Sequence, residues 1–503
     1  MAEPKKSHLL TRVTRGTLRH STRIVANGVV GGFLVLLVVG VMALEKRPDL
    51  QIWHTADLDE EFSADSEVAS FAEYLALEDR LFEQLQKQVY DEVPSDERHP
   101  LNRYSHDSRA DPGRWPRNWN RSYELSSDAP VAGALLLHGL SDSPYSMRTL
   151  AERLHAEGLH VVVLRVPGHG TAPAGLVDVE WQDMAAAVEI GVRHLRDVVV
   201  DAPLYAVGYS NGGALAVQYA LSALQDDTLP SLDGLVLLSP EIGISKLAVL
   251  AIWQERLGHL LGLGKLSWSS ILLEYDPFKY GSFAINAGKL AHELTVEIQN
   301  RIGRVGAAGG LERFPPLLAF QSIVDATVTA PALVDGLFER LPAGEHELVL
   351  FDVNRTAQIG SLLNNDPTAW VDGMLANRSL AFGLTAITNE DPHSEGVVVR
   401  HRAPGAKVAT TTPLDLRWPR DVYSLSHVAL PFAPDDPVYG GPDAAESPGV
   451  QLGNVALRGE RGALLISAAD QLRLRWNPFH SYLLDRTAEF VLRGPTLEDR
   501  PAQ

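Results

Sequence analysis

Pro203-Leu204-Tyr205-Ala206-Val207-Gly208-Tyr209-Ser210-Asn211-Gly212-Gly213-Ala214-Leu215-Ala216-Val217-Gln218-Tyr219 is the stretch around which the chain is read. Leu204 to Val207 is a short apolar run suited to a buried strand, and Ala214 to Leu224 continues as an Ala- and Leu-rich helical pattern. Between them lies Gly208-Tyr209-Ser210-Asn211-Gly212, a G-x-S-x-G. The chain must turn sharply there from strand to helix, and the serine at the apex takes a strained backbone that neighbouring side chains would obstruct; glycines two positions to either side relieve the crowding. The turn also sets the hydroxyl at a helix N-terminus, where free N–H groups can stabilise negative charge. Ser210 is therefore a candidate nucleophile. The bare pattern arises often by chance, and its weight comes from its place between strand and helix.

Outward from this point the same alternation repeats. Upstream, Ala134–Leu137 ends in His138-Gly139-Leu140 before a helix over about Ser146–Glu157. Next, Val161–Val166 ends in Pro167-Gly168-His169-Gly170-Thr171 before a helix over about Val179–Val198. Downstream, the strand Leu235–Leu238 ends in Ser239-Pro240-Glu241, Leu317–Ile323 leads into Val324-Asp325-Ala326, a helix is expected at Pro331–Arg340, and His346–Phe351 is a further strand. Strands separated by helices imply a parallel sheet with ligand sites at the strands' C-terminal ends, where all these turns fall.

Two segments interrupt the pattern. Residues 244–312 read as a cap, with helical pieces Leu247–Leu263 and Ala287–Ile302 around Trp268, Tyr275, Phe278, Tyr280 and Phe283; an apolar lining of this kind suits an acyl chain, although packing of the cap on the body accounts for many of these residues. Residues 356–420 form a second insertion with possible strands at Leu380–Thr388 and Gly396–Arg402. Val422–Leu425 then leads to Ser426-His427-Val428, and the domain closes with strands at Gly462–Ser467 and Gln471–Trp476 and a helix over Pro478–Leu492. The domain spans 123–493, and 494–503 is a tail.

Charge is uneven along the 503 residues, whose net value is −19. Residues 1–23 carry six Lys or Arg against Glu3, while the chain from Glu45 onward holds 38 basic and 62 acidic residues. A body this acidic argues against a nucleic-acid partner. Residues 24–44 hold no charge, and Asn27 is their one strongly polar side chain; as a helix they would span about 30 Å, the thickness of a bilayer core. The basic segment before them should stay in the cytoplasm and send the remainder across. Val41-Met42-Ala43 loosely resembles a cleavage site, but the apolar run and its basic prelude are long for a signal peptide, which favours an uncleaved anchor. From 45 to 122 come an acidic tether (Gln51–Ser66), an amphipathic helix over about Glu67–Tyr90 and a loop, Asp91–Asn120, pinned by Tyr104, Trp115 and Trp119. There is no cysteine, hence no disulfide and no thiolate metal site.

A serine hydroxyl needs a base to become nucleophilic; imidazole suits that task near neutral pH, and a carboxylate behind it fixes its tautomer. Acids at strand ends are Asp325, Glu241 and Asp352, and histidines in reach of the later strands are His427, His480, His393 and His401.

With His138-Gly139 after an early strand, the Gly168-His169-Gly170 turn, the Gly208–Gly212 elbow and then Asp325 and His427 in that order, the chain resembles the α/β-hydrolase superfamily of serine hydrolases, closest to capped bacterial esterases and monoacylglycerol-lipase-like members. The resemblance covers about Tyr123–Arg493 apart from the two insertions. It implies an α/β-hydrolase fold, a mostly parallel sheet with helices on both faces and a helical cap, here preceded by one transmembrane helix. It also implies Ser210 as nucleophile, His427 as general base, Asp325 as the acid that orients it, and the backbone N–H groups of Leu140 and Asn211 as the oxyanion hole. The insertion 356–420 separates Asp325 from His427 more widely than is usual in the family. His138 would support the oxyanion loop and His169 the turn after the next strand; neither stands among zinc-ligand neighbours, and no H-E-x-x-H occurs, so no metal or cofactor is expected. The expected activity is hydrolysis of hydrophobic or lipid-like carboxylic esters through an acyl-enzyme outside the cytoplasm. Acyl transfer to an alcohol, amide cleavage, or a non-catalytic envelope protein of the same fold are the alternatives.

Overall fold

Runs such as Gly133–Leu137 and Leu204–Tyr209 are buried along their whole length, as strands covered on both faces must be, and this is why their sequences are continuously apolar rather than alternating. The computed structural model describes residues 45–243, 264–357, 366–420, 422–453 and 473–493, with the single positions 31 and 42. Among the described residues ten strands form the main sheet: β1 (Tyr123–Leu125), β2 (Gly133–Leu137), β3 (His160–Leu164), β4 (Leu204–Tyr209), β5 (Gly234–Leu238), β8 (Leu317–Ser322), β9 (His346–Phe351), β10 (Gly383–Asn389), β11 (Gly396–Arg402) and β12 (Thr410–Arg417). A separate two-stranded ribbon joins β6 (Trp268–Ser270) to β7 (Phe283–Ala284). The main sheet runs in the order β1-β3-β2-β4-β5-β8-β9-β10-β11-β12, parallel from β3 to β10 and antiparallel at β1, β11 and β12.

Helices lie on both faces. Among the described residues, those longer than a single turn are α1 (Phe71–Leu85), α2 (Arg148–Ala156), α3 (Trp181–Val199), α4 (Asn211–Ala223), α5 (Ile285–Ala307), α6 (Ala330–Gly336), α7 (Thr368–Ala376) and α8 (His480–Leu492). Alternate strand residues divide between two cores: Leu135, Leu137, Ala206, Leu235 and Leu237 pack with α3, α4 and α5, while Ala134, Leu136, Val207, Val236 and Leu238 pack with α2 and α8. The chain leaves β2, returns as β3 on one side, then crosses to β4 on the other. That reversal opens a crevice outside the strands' C-terminal ends, the usual ligand position in such sheets.

Several expectations change in detail. Residues 51–66 are docked rather than a tether, because Trp53, Leu58 and Phe62 are buried and Glu61 holds the guanidinium of Arg165 through two bonds, 2.9 and 3.0 Å. Helix α1 is closed at its start by Ser70 and Glu73, which bond each other's backbone N–H groups. Within 244–312, α5 is a body helix, since Leu290, Leu294 and Ile298 pack in the core beside α4. The second insertion, 356–420, extends the main sheet by three strands: the backbone edge of β10 pairs with β9, β11 pairs with β10, and β12 pairs with β11. Residues 473–476 carry no strand.

Apart from positions 31 and 42, the expected membrane helix 24–44 lies outside the described residues, as do the pieces 247–263 and 462–467 and the tails 1–23 and 494–503. Among the described residues no helix is long and apolar enough to cross a membrane.

Candidate active site

The turn from β4 to α4 sets the geometry. Ser210 has φ 53° and ψ −116°, a region costly for a residue with a side chain, by about 1–3 kcal/mol. The surroundings hold it there: its N–H donates to the Leu238 carbonyl at 2.9 Å, and its own carbonyl accepts from Glu241 at 3.0 Å and Gly213 at 3.0 Å. Glycine is required on both sides. A Cβ on Gly208 would lie 2.4 Å from the Gly212 carbonyl oxygen, and one on Gly212 would lie 2.3 Å from that of Leu137. The N-terminus of α4 is therefore flush against the end of β2, which brings Asn211 beside the loop carrying Leu140.

Asp325 follows β8 and His427 opens a single helical turn, His427–Ala429, after the sheet's last strands. His427 Nε2 lies 2.9 Å from Ser210 Oγ, and its Nδ1 lies 2.7 Å from Asp325 Oδ2. The three side chains form one hydrogen-bonded line, and all three residues are buried. Asp325 is itself fixed: Oδ1 accepts from the N–H groups of Thr327 and Val328 at 2.8 and 2.9 Å, and Oδ2 accepts from Gln321 Nε2 at 3.0 Å. Burial alone would raise its pKa, but the imidazole of His427 and these donors outweigh it and hold the carboxyl below its ordinary value. Tyr209 Oη donates to the His427 carbonyl at 3.4 Å, so the residue before the serine also steadies the histidine turn.

The other candidates are engaged elsewhere. His480 is buried against the Pro431 carbonyl and Thr149 Oγ1, and burial lowers its pKa to about 4. His401 bonds Thr385 and His393 is exposed. Asp352 accepts from Thr388 Oγ1 at 2.6 Å and Arg355 Nε at 2.7 Å.

His138 Nδ1 lies 2.9 Å from the Gly139 carbonyl while its Nε2 accepts from Val166 N–H at 3.0 Å, which ties the Leu140 loop to the next turn; burial holds its pKa well below the usual value. His169 Nδ1 sits 3.0 Å from the Pro167 carbonyl.

Two features are not evident along the sequence. Glu241 is buried close enough to His427 and Asp325 for their charges to affect it, and among the described residues no partner reaches its Oε2. Burial pushes its pKa up to about 7, with His427 opposing and Asp325 reinforcing. Second, the segment after His427 joins the early loops to the cap segment: Phe432, Val438 and Tyr439 pack with Trp115, Tyr145 and Phe278, and Asp436 accepts from Tyr145 Oη at 3.0 Å. The motif Pro431-Phe432-Ala433-Pro434-Asp435-Asp436 was the available signal. From the cap side, Lys279 pairs with Asp142 at 2.8 Å and Tyr280 N–H donates to the Ser141 carbonyl at 2.9 Å, so cap and Leu140 loop are joined.

The family model described as "Serine aminopeptidase, S33" matches residues 128–351, which contain Ser210 and Asp325. The fold is that of an α/β-hydrolase. Among curated proteins, this chain is 28% identical over 119 residues to a protein named phospholipase YtpA of Bacillus subtilis, 24% of this chain and 44% of that one. It is 31% identical over 123 residues to a thermostable monoacylglycerol lipase of Bacillus sp., 24% of this chain and 46% of that one. The chain thus spans under half the length of the curated relatives it matches. A solved monoacylglycerol lipase of Paleococcus ferrophilus matches 46% of this chain and 88% of its own at 19% identity, with a TM-score of 0.35.

Proposed function

We propose that the protein is a serine hydrolase that cleaves carboxylic esters through an acyl-enzyme. The observation that carries the reading is the unbroken hydrogen-bonded line from Ser210 Oγ through His427 to Asp325. In this reading Ser210 Oγ attacks the ester carbonyl carbon as its proton passes to His427 Nε2. Asp325 holds Nδ1–H and stabilises the imidazolium. The oxygen that becomes negative is received by the N–H groups of Leu140 and Asn211, the second at the start of α4, where the helix leaves N–H groups unpaired. Collapse transfers the proton from His427 to the leaving alcohol, and water activated by the same imidazole releases the acid.

Hydrophobic, lipid-like esters are the favoured substrates. The names of the phospholipase and monoacylglycerol lipase relatives support this, as does the apolar cap segment. Residues 24–44 serve in the same proposal as a membrane anchor, with 1–23 cytoplasmic and the catalytic domain on the far side; the uncharged run and the basic residues before it are the support. Protease treatment of intact cells tests it, and a domain left uncut until the membrane is opened overturns it.

The test of the chemistry is labelling by a fluorophosphonate probe, with turnover of esters of graded acyl length. Wild type labels and Ser210→Ala does not; labelling retained by Ser210→Ala removes Ser210 from the role, and a wild type that never labels supports a non-catalytic protein. A second reading, cleavage of an N-terminal peptide bond, is favoured by the description of the matching family model. Aminoacyl amides beside the ester panel distinguish the two, and added alcohol acceptors reveal acyl transfer.

A further inference from the structure

We infer that Glu124, His160 and His194 form a binding site for a divalent transition-metal ion of the zinc type, at the edge of the sheet opposite Ser210. Glu124 lies on β1 in register with Val162 of β3 and therefore shares its face; His160, two residues earlier on β3, points the same way. Helix α3 covers that face, where Val192 and Leu195 pack with Val162, and it brings His194 down onto the same point. The three donor atoms, two imidazole nitrogens and one carboxylate oxygen, lie within 4.8 Å of one another. His160 opens β3, whereas the triad stands at the strands' C-terminal ends, so the site is separate from the one that carries the proposed hydrolysis.

As described, both imidazole Nε2 atoms converge on a single oxygen, Glu124 Oε1: His194 at 3.0 Å and His160 closer still. That arrangement holds with a proton on each Nε2. It also places three ligands of zinc-site type around one small volume, and zinc–nitrogen and zinc–oxygen bonds of about 2.0–2.2 Å fit between them after small rotations. Each ring coordinates through Nε2 by carrying its proton on Nδ1. For His160 this replaces a long contact, the 3.4 Å bond its Nδ1 accepts from Ser127 N–H. The side chains of Glu124 and His194 are about a quarter exposed, at 26% and 27%, which leaves water access to a fourth position. Imidazole and carboxylate donors without thiolate suit zinc, cobalt or nickel rather than calcium or magnesium.

Along the chain these residues are invisible as a set, since they come from a short strand, the first residue of another and a helix, without ligand spacing. Bound metal would clamp β1, β3 and α3 together. It would also stiffen α1, whose Phe71 ring lies 4.7 Å from that of His194.

The test is a titration of the full chain, stripped with a chelator, using Co²⁺ followed by visible absorption and Zn²⁺ followed by calorimetry, with thermal unfolding measured alongside. The expected result is saturable binding at one equivalent and a metal-dependent rise in Tm. His194→Ala and Glu124→Gln should each weaken binding by about tenfold or more, and His99→Ala, on a surface loop, should leave it intact. Circular dichroism without metal confirms that each variant is folded. Absence of saturable binding to wild type overturns the proposal. So does binding that both ligand variants retain, or binding that His99→Ala removes. None of these outcomes depends on whether Ser210 labels.

Discussion

The backbone N–H of Glu241 donates to the carbonyl of Ser210 at 3.0 Å, so a residue in the turn that follows β5 both holds the strained serine turn and sets a buried carboxyl near His427 and Asp325. That carboxyl has a cost that depends on pH. Its pKa rises from 4.5 to about 7 on folding, chiefly through burial. Between those values the folded protein keeps a proton that the unfolded chain has lost, so stability from this group is full below pH 4.5 and falls as pH rises to about 7. The shift corresponds to roughly 3 kcal/mol lost above neutrality. Glu241→Gln should therefore be more stable than wild type at about pH 8 and nearly equal to it at about pH 5. Urea midpoints at the two pH values check this; equal gains at both would show that Glu241 does not titrate in that window.

Asp325→Asn should keep the fold and lose the chemistry. The amide retains the shape but offers His427 Nδ1 no negative charge and can turn an N–H toward it, which favours the wrong tautomer. A fall in kcat of about 10⁴-fold with little change in KM is the expected result. Steady-state kinetics on a short-chain ester measure it, and a change below tenfold would move the acid's role to Glu241.

The central sheet and the elbow at Ser210 were legible because local patterns carry them, and the chain order of the resembled family singled out Asp325 and His427 from several candidates. A run such as His346–Phe351 is a strand wherever it packs, and glycines at 208 and 212 mark a turn that tolerates no Cβ. What escaped depends on contacts between distant segments. Gln51–Ser66 looks solvated by composition, and the buried guanidinium of Arg165 together with the Gly168 N–H explains the place of Glu61. The cap boundary was misplaced at α5 because an apolar stripe does not say which surface it meets. That Glu241 Oε2 has no partner among the described residues could not be foreseen, since the turn after β5 is placed by contacts with Ser210 and with Thr295 of α5.

Glycines separate by what surrounds them. A Cβ on Gly212 would meet backbone at 2.3 Å, with Leu137 and His138 unable to yield without moving β2 away from α4. Gly212→Ala should cost about 3 kcal/mol and abolish probe labelling. Gly303, on the exposed side of α5, has nothing within 4 Å of the same position. Gly303→Ala should instead stabilise by up to about 1 kcal/mol and leave activity unchanged. Thermal unfolding of the pair decides whether the crowding or merely the loss of a flexible residue governs.

Arg165 is wholly buried and binds Glu78 at 3.1 Å, Glu61 at 2.9 Å and the His169 carbonyl at 3.0 Å. Tyr74 Oη donates to its carbonyl at 2.7 Å, so the N-terminal segment and the turn after β3 share one polar knot. Arg165→Met would leave two carboxylates facing an apolar interior without their cation, a loss of about 3–5 kcal/mol. Replacing all three charges together, as Arg165→Met with Glu61→Gln and Glu78→Gln, removes the stranded negative charge and should recover most of that loss. Urea unfolding of the single and triple variants reads the difference directly. A triple variant no more stable than Arg165→Met would mean that shape and the guanidinium's bond to the His169 carbonyl, rather than charge compensation, hold this junction.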